Sequence, residues 1–290
     1  MPPYPKWSNP PLKKGLEMAK RFDGKVIVVT GGSDGIGLAS AQAFAQEGGT
    51  VYICARRKER LDEVLDELGS SVTAVQCDVG NPEDLDRLYA QIRQDQGRVD
   101  VVFANAGVSE SAALGEIDEA HVDRLLSTNI KGVIHTVQKA LPLMGRGATV
   151  IITGSGAGSS GFAGLSVYSA TKAALRSFAR TWTTDLKDRG IRVNAVSPGM
   201  IKTPAMDRYL DNNPGTEAFF EQLIPMARLG HWRLHGGLRP LGHAIAVLRA
   251  GSKGQKRLHL LAVSATGSTS ADESAITLNQ RGAKRWGRFA

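Results

Sequence analysis

Six short runs rich in Val and Ile recur along the chain without the polar alternation of a half-solvated strand. They fall at 25–30 (KVIVVT), 50–54 (TVYIC), 72–77, 99–104 (VDVVFA), 148–153 (ATVIIT) and 191–196 (IRVNAV). A strand apolar on both sides must be covered on both sides, which is the condition of a parallel sheet between helix layers. The stretches between the runs carry helical patterns: 36–47, 57–68, 82–95, 118–143 and 166–188. Asn81-Pro82 followed by Glu83 and Asp84 is a helix start, with Pro in the first turn and acids toward the positive end of the dipole. Strands alternating with helices predict an α/β fold built on a doubly wound parallel sheet, with its ligand off the carboxyl ends of the strands.

The chain has 290 residues, enough for one large domain, and its 42% apolar and 22% charged residues are ordinary for a soluble protein. Residues 1–22 are Pro-rich and basic and read as an extension; 23–230 read as the domain, and 231–290 as a divergent basic segment. No run approaches the roughly 20 apolar residues of a membrane span, and the N-terminal MPPYPKWSNPPLKK has no signal-like apolar core. A cytoplasmic protein with no membrane association is expected. Cys54 and Cys77 lie in apolar runs and read as buried thiols of a reduced compartment. His121 and His135 have no Cys or acid at ligand spacing, so no metal site is expected.

The net charge of +8 belongs to one end of the chain. Residues 231–290 hold ten Lys/Arg and two acids, leaving 26 basic and 26 acidic residues in 1–230. A basic groove on the folded domain is not supported, and the tail lacks the aromatic platforms of a nucleic-acid surface, so no nucleic-acid partner is expected.

The first strand runs into Gly31-Gly32-Ser33-Asp34-Gly35-Ile36-Gly37, and a helix follows at once. Glycines at a strand-to-helix turn let backbone N–H groups approach a pyrophosphate at the helix N-terminus. Alone, the turn reads equally as a tight connection. In its context, Thr-Gly-x-x-x-Gly-x-Gly resembles the cofactor turn of the short-chain dehydrogenase/reductase family. Further motifs in the family's order extend the resemblance from about 25 to 230. Asp78-Val79 stand where the family's acid faces adenine, and Asn105-Ala106-Gly107 resemble its Asn-Ala-Gly motif. Asn129, Ser155, Tyr168 and Lys172 match its catalytic set. Pro198-Gly199 match its Pro-Gly turn, with Ile201 and Thr203 where the nicotinamide carboxamide would be held.

The resemblance implies a Rossmann-like fold and a nicotinamide-dependent oxidoreductase acting on a small ketone or secondary alcohol. It also implies a homo-oligomer, a dimer or tetramer. Of the two nicotinamide cofactors, a carboxylate ending the second strand would bind the ribose hydroxyls of NAD and repel a 2′-phosphate. Here the position is Ala55, followed by Arg56 and Arg57, which favours NADP with NAD as the alternative. Arg56 and Arg57 also read as solvated charges opening a helix, and the acid Asp34 at the turn argues against NADP.

Tyr168 and Lys172 lie at i and i+4, hence on one helix face. By itself the pair reads as an ordinary amphipathic spacing. Within the motif set, Tyr168 is the acid that protonates an alkoxide as it forms, and a neighbouring ammonium stabilises its anion. Ser155 would hold the substrate oxygen. Asn129, in mid-helix where its propensity is poor, suits a relay past Lys172.

Residues 200–228 read as a segment closing over the cofactor, and Met200, Met206, Tyr209, Phe219 and Phe220 fit either an apolar lid or plain helix packing. The resemblance ends after Gly230. From there four of the six His and scattered Arg, Gly and Ser replace the acidic helix and Val-Asp-Gly-Gly strand end of relatives. A shifted reading frame and genuine divergence both account for the change. Weak order past about residue 250 is expected, and a cofactor-binding protein with little turnover is the alternative function.

Overall fold

Val26 and Val28 bury against one helix layer while Ile27 and Val29 bury against the other, which is why the first apolar run has no polar face. The computed structural model describes residues 20–224 and 227–231. The expectations for residues 1–19 and 232–290, including weak order past 250, lie outside them.

The main sheet consists of β1 (Val26–Thr30), β2 (Thr50–Ala55), β3 (Val72–Gln76), β4 (Val99–Ala104), β5 (Met144–Thr153) and β6 (Arg192–Val196). All pairings are parallel, in the order β3-β2-β1-β4-β5-β6. The chain therefore reverses its direction of winding between β1 and β4, and a crevice opens there at the carboxyl ends.

α1 (Gly35–Gln46) and α2 (Lys58–Leu68) cover one face through Leu38, Phe44, Leu61 and Val64. α3 (Pro82–Gln96), α5 (Gly132–Ala140) and α6 (Ser166–Asp185) cover the other through Leu85, Leu88, Ile92, Val133, Val137 and Leu175. Each such side chain contributes about 1.5–3 kcal/mol when withdrawn from water. The thiols of Cys54 and Cys77 are free and buried in this second layer. Contact with Cys77 and burial together hold the Cys54 thiol well above its ordinary range.

Two elements differ from their sequence outlines. The helix expected over 118–143 is α4 (Glu119–Leu126), a π-helical turn at Ser127–Lys131, α5, and a 3-10 turn at Leu141–Leu143. The fifth apolar run begins earlier than its Val/Ile core: β5 starts at Met144, and residues between Met144 and Thr149 bulge from the ladder with β4. Gly145 and Gly147 carry no strand propensity, so that extension is invisible to a pattern of apolar residues.

Phe22 packs edge-on against Phe44 at 4.8 Å between ring centroids, and Arg21 pairs with Glu47, so residues 20–22 close the end of α1. Beyond β6, β7 (Ile201–Lys202) pairs in parallel with β8 (Gly230–His231), enclosing α7 (Pro204–Asn212) and α8 (Thr216–Leu223). No residue of α7 is buried. Tyr209 and Phe220 stack at 6.3 Å, and Phe219 lies 6.0 Å from Phe220 while remaining 54% exposed, so these aromatics pack mainly on one another. Among the described residues no helix is long and apolar enough to cross a membrane.

Candidate active site

The glycine turn leaves β1 under tight steric control. Gly31 has a positive φ of 66°, and a Cβ on Gly37 would lie 2.1 Å from the Gly31 carbonyl oxygen, so α1 can start this close to the strand only without a side chain there. Asp34 caps α1, its carboxylate accepting from Gly35 N–H at 3.2 Å. The first-turn amides of Ile36 and Gly37 have no carbonyl partner within the helix and face the crevice end of the dipole, a ready anion site. Ser33 is buried beside them.

Asn105, Ala106 and Gly107 extend β4 into the same crevice. The Thr30 hydroxyl oxygen accepts from Asn105 N–H and Ala106 N–H, both at 3.0 Å, and Asn105 Nδ2 donates to the Thr30 carbonyl at 3.1 Å. Thr153, at the end of β5, donates its hydroxyl to Asn105 Oδ1 at 3.1 Å and accepts from Lys172 Nζ through its carbonyl at 2.9 Å. A continuous polar chain thus joins the glycine turn to Lys172. Thr30 opens the glycine motif, whereas Thr153 belongs to no motif; its one signal in the sequence is a hydroxyl residue at the end of an apolar strand.

Asn129 lies in the π turn with no exposed surface. Its amide exchanges two hydrogen bonds with the Val108 backbone at 2.9 Å and donates a third to Thr171 Oγ1 at 3.1 Å. Ser155 caps the short turn Gly156–Ser159, accepting from Ala157 N–H at 3.2 Å. That turn is tied to the Pro198-Gly199 segment by Gly156 N–H donating to the Pro198 carbonyl at 3.1 Å. Burial pushes the Tyr168 phenol above its ordinary value of 10, and a hydrogen bond with Ser155 acts in the opposite direction. Lys172 Nζ stands 5.7 Å from the centre of the Tyr168 ring. Burial lowers the Lys172 ammonium from 10.5 to about 8.

The outer parts of the crevice close the circuit. Asp78 follows β3 and accepts from Gly80 N–H at 2.9 Å, and Val79 is buried against Gly132. Thr203 caps α7, accepting from Met206 N–H at 3.2 Å, and its methyl abuts Gly35 of the glycine turn; Ile201 lies in β7 just before it. Arg56 and Arg57 are exposed at the end of β2, and Arg57 reaches Asp34 at 3.4 Å. All the sequence-selected residues therefore fall along one edge of the sheet. Among the described residues no group of three or more His, Cys, Asp or Glu is placed to hold a metal ion.

A dinucleotide fits what these residues leave open. The helix-end amides suit a pyrophosphate, and the buried Lys172 ammonium has three donors, of which the structure satisfies one through Thr153. A sugar diol would take the others.

A family model described as short chain dehydrogenase matches residues 25–214. The chain is 44% identical over 217 residues to "Oxidoreductase asL5" of Sarocladium schorii, covering 74% of this chain and 86% of that protein. It is 34% identical to "3-oxoacyl-[acyl-carrier-protein] reductase FabG" of Thermotoga maritima, over 72% of this chain and 86% of that one. Among solved structures, a "Short-chain dehydrogenase/reductase SDR:Glucose/ribitol dehydrogenase" from Brucella melitensis superposes with a TM-score of 0.72 at 27% identity, over 80% of this chain and 91% of its own. A match that spans the whole sheet and runs on into α7 makes the chain a member of the short-chain dehydrogenase/reductase family of NAD(P)-dependent oxidoreductases.

Proposed function

We propose that the protein interconverts a small ketone and its secondary alcohol with NADP, Tyr168 acting as the acid and base. The observation that carries this reading is that Tyr168 is hydrogen-bonded to Ser155 while the Lys172 ammonium, one turn along α6, stands 5.7 Å from the centre of its ring. The relative named as a 3-oxoacyl reductase acts on a ketone by its name, which supports the same substrate class.

When bound, the nicotinamide supplies or accepts the hydride. The protein's own groups handle the oxygen and the proton. In reduction the Tyr168 phenol gives its proton to the oxygen as the carbonyl becomes an alkoxide, so ketone, hydride and proton sum to alcohol. A phenol held above 10 by burial is fully protonated at neutral pH and ready as an acid. Ser155 holds the oxygen and bears part of its developing charge. Lys172 opposes the accumulation of negative charge on Tyr168, and Asn129 fixes the backbone around Val108. Arg56 and Arg57, with Ala55 in place of a carboxylate, support a 2′-phosphate at the far end of the crevice.

The test is a panel of ketones and alcohols run with NADPH/NADP and NADH/NAD in parallel, on the parent and Tyr168→Phe. Removal of the phenolic hydroxyl is expected to lower turnover by about 10²–10⁴-fold with cofactor affinity unchanged. A Tyr168→Phe variant that turns over like the parent sinks the reading. Tight cofactor binding with no turnover across the panel would favour the alternative of a binding protein, to which the divergent 231–290 sequence points.

A further inference from the structure

Asn129 and Lys172 come from different segments, and one side chain that belongs to neither motif lies between them. Thr171 is 2% exposed and sits one residue before Lys172 on α6. Its hydroxyl has a single proton, donated to the Tyr168 carbonyl at 2.7 Å. Only lone pairs then face Asn129, and Asn129 Nδ2 donates into them at 3.1 Å. The other Nδ2 proton goes to the Val108 carbonyl, and Val108 N–H donates to Oδ1, both at 2.9 Å. The two ends of an amide have nearly the same shape, so partners of this kind decide which way it points. Here the oxygen is turned to the side of Gly107 that also meets Lys172. A Cβ on Gly107 would stand 3.3 Å from Asn129 Oδ1 and 3.2 Å from Lys172 Nζ.

We propose that Thr171 is a positioning residue for the acid–base centre, its hydroxyl fixing the Asn129 amide with the oxygen on the Lys172 side and the nitrogen away. The inference rests on the reading of Tyr168 and Lys172 as the working pair. Without the hydroxyl, one Nδ2 proton loses its acceptor, and only the two bonds to the Val108 backbone are left to hold the amide against turning. Any fraction of turned amide presents its positive end toward the buried ammonium. The ammonium is then disfavoured, and its support for the Tyr168 anion weakens.

The experiment uses the full chain with Thr171→Val, Thr171→Ser and Tyr168→Phe beside the parent. It measures kcat, KM, cofactor Kd and the pH profile of alcohol oxidation, which needs the Tyr168 anion. Thr171→Val is expected to lower kcat about tenfold with KM and Kd within about twofold, the scale of one lost hydrogen bond. It should also move the acidic limb of the profile to higher pH, and Thr171→Ser should restore both. Parent-like kcat and limb in Thr171→Val overturn the proposal. So does a lowered kcat with an unmoved limb, or a Thr171→Ser variant as impaired as valine. Where valine prevents folding, Thr171→Ala carries the same expectations. In an Asn129→Ala background Thr171→Val should add no further loss, and a second independent tenfold drop would contradict the claim. An active Tyr168→Phe sinks the acid–base reading itself, whereas an inactive one beside an unaffected Thr171→Val sinks the Thr171 role alone.

Discussion

The two ends of the crevice are built in opposite ways. At the catalytic end, Asn129, Thr171 and Lys172 are 0%, 2% and 4% exposed, and each is hydrogen-bonded within the protein at 2.7–3.1 Å. At the far end, the Arg57 side chain is 60% exposed and holds Asp34 only at 3.4 Å. Buried polar groups lose the full cost of desolvation when a partner is removed, while exposed pairs are screened by water and salt. On the proposed reading the acid–base groups are held by burial, and the choice between NADP and NAD would rest on surface charges that single substitutions can retune.

Lys172→Met should break the catalytic end most visibly, lowering turnover by about 10²–10⁴-fold, the range for an acid–base group deprived of support. Its effect on stability has the opposite sign. The ammonium titrates at about 8 in the folded chain against 10.5 when unfolded. Between those values the unfolded chain binds more protons, so stability of the parent rises with pH across that window. Below about pH 8 the fold carries the whole cost of burying the cation, on the order of 3 kcal/mol. Methionine removes that cost and gives up one hydrogen bond to Thr153, worth about 1 kcal/mol. Thermal melts at pH 7 should show the variant several degrees more stable, with the gap closing toward pH 10.5. A variant less stable than the parent at pH 7 would mean that Lys172 is paired and stabilising.

Much of the catalytic end was legible through its resemblance to the family's motifs, which are local in sequence. Alone, the i, i+4 spacing of Tyr168 and Lys172 and the glycines of 31–37 read equally as a helix face and a tight turn; the order in which the motifs occur gave them their meaning. Unbroken Val/Ile runs gave the sheet, since each strand is buried on both faces. Thr30 stands in the glycine motif, but its bonds to Asn105, like the contacts of Thr153 and Thr171, are not visible in the sequence because the partners lie far along the chain: Asn105 is 75 residues from Thr30 and 48 from Thr153, and Asn129 is 42 from Thr171. A threonine on a strand end or inside a helix has no local mark that distinguishes these contacts. The π turn around Asn129 was equally silent, for the low helix propensity of Ser127, Thr128 and Asn129 does not say that the helix widens there. After β6 the sequence left two readings of the aromatics of 209–220, an apolar lid or plain helix packing, and Tyr209, Phe219 and Phe220 pack on one another near the surface. Asp34 was read as an argument against NADP, and its contact with Arg57 turns that into a measurable competition.

The far end is tested by replacing both Arg56 and Arg57 with Ala. Affinity for NADPH should fall about tenfold or more, as expected for charge-assisted bonds to a phosphate, with NADH nearly unaffected. Fluorescence titration of the two reduced cofactors reads both values. Equal weakening of NADPH and NADH would assign the arginines to the shape of the β2 end and leave the 2′-phosphate unread.

Asp34→Asn should have the smallest effect and separates two jobs of one side chain. Asparagine caps a helix as well as aspartate does, so the hydrogen bond to Gly35 N–H survives and stability should stay within about 0.5 kcal/mol of the parent. The negative charge is lost, and Arg57 is released toward the phosphate. The exposed pair is worth little, so NADPH affinity should tighten only about threefold, with NADH changed less. The gain should shrink further as salt is raised through the range where the Debye length falls below about 10 Å. An unchanged ratio of the two affinities at low salt would show that Asp34 and a 2′-phosphate do not compete for Arg57, and that the acid serves the helix cap alone.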